Sequence, residues 1–163
     1  MTDWNTWFHY QLTASADGFE WAFSQIPPAL HDKLLPDQDY FGAWPPARHV
    51  WHVTEYERCL ALPTMRQWLG GPLPPTDAWS DDDADWEKVQ DRSLPSLVAS
   101  FRSIRQQQIN LLDQFKSVDW SLPLVSLWGP RPLSMIVTKT FQHTYEHGDT
   151  LLRIGLWLRD VVL

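Results

Sequence analysis

The side chains best suited to chemistry in this chain are histidines. Four of the six fall in two tight groups, His49/His52 and His143/His147. A spacing of four puts His143 and His147 on one face of a helix, where both imidazoles can address one cation. Both interrupt an apolar stripe formed with Ile136, Leu151, Ile154 and Leu158, at positions where aliphatic residues are expected. His52 occupies an equivalent position on an earlier helix. His49 lies one turn before it and competes for the same role. Neutral imidazole is a common ligand of zinc, nickel and iron. Three histidines would leave coordination positions open, as catalytic rather than structural sites do. The alternative is that each is an ordinary core or boundary histidine, but several unpaired imidazoles in a core would be costly.

Other reactive side chains lie near these positions. Tyr56 and Tyr145 carry hydroxyls, and Cys59 lies two turns beyond His52 as either a thiolate ligand or an inert buried thiol. Glu146 is about 60° around the helix from His143, placed to flank a metal or to face solvent. The string His143-Thr144-Tyr145-Glu146-His147 matches H-x-x-E-H. Peptidases with that motif need a further downstream carboxylate and a larger body, and only 16 residues follow His147. His9 and His31 read as surface or boundary residues. Trp44, Trp51 and Trp128 lie near helix ends, where they pack or line a pocket mouth. No phosphate-binding glycine loop, Ser-His-Asp set or CxxC pair is present.

Four helices must position these groups. Trp4, Trp7 or Phe8, Leu12, Ala16, Phe19, Phe23 and Ile26 form a stripe that ends at Pro27-Pro28. Pro45-Pro46 suit the first turn of a second helix, Pro63 should break or kink it, and Gly70-Gly71 close it. Ser93 is placed to cap a third helix with the stripe Leu97, Phe101, Ile104, Gln108, Leu111 or Leu112, Phe115 and Val118. The fourth runs from about Leu133 to Arg159, after a turn-rich stretch containing Gly129-Pro130. No strand-like alternation is expected. The long connection over residues 70–92, anchored by Trp79 and Trp86, suits two successive helices that run parallel.

With 163 residues the chain reads as one domain, 1–163. Its net charge is −7, of which residues 77–91 supply −6. The acidity argues against nucleic acid as a partner. One cysteine, no cationic-then-apolar leader and no long apolar run lead us to expect a cytoplasmic protein with no membrane span.

Two segments resemble a known family. Trp51-His52-Val53-Thr54-Glu55 resembles the W-H-L-x-E segment of the DinB/YfiT-like metalloenzymes. His143-x-x-x-His147-Gly148-Asp149, followed by Leu151-Leu152-Arg153-Ile154-Gly155, resembles their H-x-x-x-H-R-G-Q…L-L-R-x-x-G segment. The chain departs from that pattern at Gly148-Asp149, where Arg-Gly-Gln is usual. The resemblance implies an all-α, up-down-down-up four-helix bundle with a long crossover between helices 2 and 3. It also implies a homodimer and a divalent metal held by His52, His143 and His147; for imidazole ligands a transition metal is expected, zinc or nickel before iron. His49, Glu146 and Tyr56 are then supporting residues or alternative ligands. The function it implies is transfer of a low-molecular-weight thiol to a small-molecule substrate. A metal-dependent hydrolase, and a non-catalytic stress-related or ligand-binding bundle with a structural metal or none, fit the same residues.

Overall fold

A computed structural model describes residues 3–35, 37–75, 77 and 83–162, with side chains through Leu158. Trp79, Asp81 and Asp82 of the connecting segment lie outside the described residues. The protein is mostly helical. Its elements are α1 (Trp4–Ser24), α2 (Gln38–Phe41), α3 (Pro46–Tyr56), α4 (Leu62–Arg66), α5 (Asp83–Glu87), α6 (Leu94–Leu112) and α7 (Leu133–Val162), with the strands β1 (Pro123–Ser126) and β2 (Gly129–Pro132) before α7.

Local chemistry sets the helix ends. Asp3 caps α1 by accepting from the Thr6 N–H at 3.2 Å, supplying a partner that the first turn lacks. The buried face of α1 is Phe8, Leu12, Ser15, Ala16, Phe19, Ala22 and Phe23, while Trp4 and Trp7 stay about 40% exposed. Pro46 opens α3, where no N–H is needed. Ser93 sits at the cap position of α6, but its side chain makes no capping bond.

Pro63 does not break the second long helix. A π-helical turn, Glu57–Ala61, joins α3 to α4, and the Leu62 N–H bonds to the Glu57 carbonyl five residues back. The wider turn absorbs the ring that would otherwise clash with the preceding turn. The helix then tightens through Gln67–Leu69 and stops at Gly70, whose φ of +85° is a left-handed conformation open to glycine.

One feature corrects the sequence expectations, and a second agrees with the anchoring expected of Trp86. Residues 123–132 form an antiparallel hairpin, with Ser126 opposite Gly129 and Leu127-Trp128 at the turn. Its strands are four residues long and carry three prolines, so they lack the alternation that marks a strand. Gly129 has φ +78°, and the Ser126 hydroxyl bonds both the Gly129 carbonyl and the Trp128 N–H. The connecting segment also contains the short α5, whose Trp86 packs on Trp51 with ring centroids 5.7 Å apart.

Helix α1 packs on α6 and α7, and α3 packs on α6 and α7. Residues 46–54 of α3 are all buried, so this helix is internal rather than half-exposed. The core has two main apolar clusters. One gathers Phe19, Phe23, Val50, Trp51, Val53, Phe101, Leu151 and Ile154; the other gathers Phe8, Leu12, Met65, Ile109, Leu112, Phe115, Leu133 and Ile136.

Between the two clusters along the helices lies a polar knot. Arg105, 1% exposed, donates to the Leu12 carbonyl and the Ser15 hydroxyl, both at 2.7 Å, and to the Thr144 hydroxyl at 2.6 Å. It also forms a two-pronged ion pair with the fully buried Glu57. Burial pushes the Glu57 carboxyl up, and Arg105 and Thr144 pull against that shift. Arg105→Ala should therefore destabilise the protein by about 3–5 kcal/mol, because it leaves a buried charge unpaired. Arg105→Met combined with Glu57→Leu should lose much less. Urea unfolding measures both, and equal losses would contradict a cost that arises from the unpaired charge.

Candidate metal centre

Helices α3 and α7 present their histidines to one another. His52 and His143 stand at one level with Nε2 atoms 3.0 Å apart; His49 and His147 stand at the next with Nδ1 atoms 2.8 Å apart. Within α7 the Nε2 atoms of His143 and His147 are 3.2 Å apart. His52, His143 and His147 thus bring three ligand atoms within 4.8 Å of one another. Imidazole donors bind zinc at about 2.0–2.1 Å, which sets tetrahedral donors about 3.3 Å apart. The His52–His143 and His143–His147 separations of 3.0 and 3.2 Å approach that value.

The donor set passes a chemical test as well. His143 Nε2 faces the Nε2 atoms of both His52 and His147. A neutral imidazole nitrogen either donates one hydrogen bond or accepts one, so hydrogen bonding alone cannot satisfy both contacts. A cation shared by three lone pairs can.

Burial keeps His49, His143 and His147 neutral. It pushes His49 down to about 4, with repulsion from His52 and Arg48 adding to the effect. Burial likewise takes His143 to about 3, helped by His52 and Lys139. It takes His147 to about 2, helped by its three histidine neighbours and Lys139.

Aromatic rings line the cluster. The Trp44 ring lies 4.8 Å from His52 and 5.4 Å from His49, and is nearly parallel to His147 at 6.0 Å. Tyr56 packs 4.3 Å from the His143 ring, and the hairpin brings Trp128 to 6.4 Å from Tyr56. Burial, followed by Glu57 and Glu146, raises the Tyr56 phenol, so it stays protonated and is a donor rather than a base. Arg48 is buried over the Trp44 ring, 4.5 Å from its centroid, and pairs with Asp83 of α5.

Several expected candidates lie elsewhere. Glu146 points to solvent and pairs with Lys139 at 3.7 Å, outside the histidine group, so the H-x-x-E-H match carries no geometry here. Cys59 is half-buried with Sγ 3.8 Å from Glu55, and burial raises its thiol. Trp51 is a core residue and not part of a pocket mouth. His31 is buried rather than peripheral: its Nε2 lies 2.8 Å from the Ile26 carbonyl and its ring stacks on Phe23. Arg48 and the Arg105–Glu57–Thr144 knot were missed. Their only trace in the sequence is charge in or beside the apolar stripes.

The site belongs to a protein of known lineage. The model of the DinB superfamily matches residues 11–151, and the chain is a member of that superfamily. No curated protein and no solved structure matches it. Among the described residues, no helix is long and apolar enough to cross a membrane.

The neutral histidines make stability depend on pH. In the unfolded chain they take up protons below about pH 6.5; in the folded protein they resist doing so until about 4 or lower. Metal-free protein should hold its full stability above pH 6.5 and lose it steadily as pH falls towards 4. His143→Leu with His147→Leu should flatten that loss. Urea midpoints across the range provide the check, and an unchanged slope would refute neutral burial of these two rings.

Proposed function

We propose that this protein is a metal-dependent enzyme in which His52, His143 and His147 hold one divalent ion, zinc or nickel before iron. The observation that carries this reading is the convergence of their ligand atoms within 4.8 Å. Such an ion supplies Lewis acidity, polarising a small electrophile and lowering the pKa of a thiol or water. Trp44, Tyr56 and Trp128 shape an aromatic wall beside the donors, with the buried Tyr56 packed against the His143 ring. The reaction we favour is transfer of a low-molecular-weight thiol to a small electrophile, in keeping with the resemblance of the His52 and His143–Gly155 segments to the DinB/YfiT-like family, some of whose members use such thiols.

The same reading takes residues 1–163 as one domain. The long helices α1, α3 with α4, α6 and α7 run up-down-down-up, the connection over residues 70–92 supplying the crossover. It takes the working unit as a homodimer in the cytoplasm. Packing of α1 on α6 and α7, and of α3 on the same two, agrees with a four-helix bundle.

Protein prepared without a polyhistidine tag should carry close to one divalent ion per chain by elemental analysis, and His143→Ala should abolish binding. Wild-type protein that is metal-free and binds none would end the ligand assignment. Thiol conjugation to a model electrophile should require the ion. Ester or amide hydrolysis in its place would move the assignment to a hydrolase, and neither reaction would favour a binding protein.

A further inference from the structure

We propose that His49 is a positioning residue that fixes the ring of His147 for metal binding. The inference rests on the metal centre proposed above and concerns a bond outside its three donors. The two Nδ1 atoms lie 2.8 Å apart, so one carries the shared proton. His147 turns its other nitrogen, Nε2, towards His143 at 3.2 Å. Once that nitrogen donates to a cation, the ring proton must sit on Nδ1. His147 then donates to His49, and His49 carries its own proton on Nε2.

Three features make His49 suited to this. It is 6% exposed, held on the fully buried stretch of α3 and flanked by the Trp44 ring at 5.4 Å. It lies one turn before His52, so one helix provides a ligand and also orients a ligand on α7. Its Nε2 has no hydrogen-bond partner among the described residues. A buried nitrogen without a partner calls for an explanation. The outer nitrogen of His143 has no such support: its Nδ1 is buried and lacks a partner among the described residues.

The test is a zinc titration of metal-free protein against a competing chelator, with cobalt absorption reporting ligand geometry. His49→Ala should weaken zinc binding by about 10–100-fold, the usual effect of losing an orienting partner, while cobalt still binds with a shifted visible band. His49→Gln, whose amide oxygen can accept from Nδ1–H, should recover part of the loss. If His49→Ala does not fold, His49→Gln against His49→Met makes the same comparison at similar volume.

Wild-type zinc binding with unchanged affinity in His49→Ala would overturn the positioning role alone. Complete loss equal to that of His52→Ala would make His49 a ligand and overturn it too. Wild-type protein that binds no zinc would overturn the centre and this inference together.

Discussion

The ion pair between Arg105 and Glu57 is the constraint on which the rest of the structure depends. Its atoms reach all four long helical segments: Leu12 and Ser15 on α1, Glu57 at the start of the π turn, Arg105 on α6 and Thr144 on α7. Apolar packing is non-directional and would tolerate helices sliding by a turn. A guanidinium with four partners tolerates only one alignment, since any slip leaves a buried charge without hydrogen bonds. Thr144 directly follows His143, and Glu57 directly follows Tyr56. The knot that sets helix register therefore sets the height at which His143 meets His52.

The histidine cluster is built in that fixed frame. Desolvation on the internal helix α3 and beside it keeps His49, His143 and His147 neutral, and the nearby cations act in the same direction. Arg48 bears on His49, and Lys139 on His143 and His147. Each cation has its own acidic partner, Asp83 for Arg48 and Glu146 for Lys139. The acidic connection thus reaches the centre through Arg48, while Trp86 seats the same segment on Trp51. The hairpin contributes Leu127 and Trp128 to a small cluster with Tyr56 and Leu60.

Much of this was legible in the sequence, and the parts that were not share a cause. Proline pairs, Gly70 and the three-and-four spacing of apolar residues marked the long helices, because backbone chemistry is local. The paired histidines stood out because polar rings in an apolar stripe need a reason. Spacing alone did not choose between His49 and His52, since both face inward and only the opposing helix shows that it is His52 whose ligand atom lies within 4.8 Å of those of His143 and His147. Arg105 and Glu57 are 48 positions apart, and nothing local indicates that each is the other's partner. The hairpin escaped because its strands hold together through Ser126 and a glycine turn rather than through alternation.

The π turn at Glu57–Ala61 has a consequence for comparing this chain with its relatives. A π turn accommodates one residue more than a regular α-helix over the same rise. A homologue with an unbroken α-helix there would be one residue shorter between His52 and Gly70. An alignment of the two must open its gap within 57–61, ahead of Pro63. Placed anywhere later, the gap would rotate the buried Leu62, Thr64 and Met65 by about 100° onto the wrong face. The single-residue offset would then be mistaken for divergence of the core.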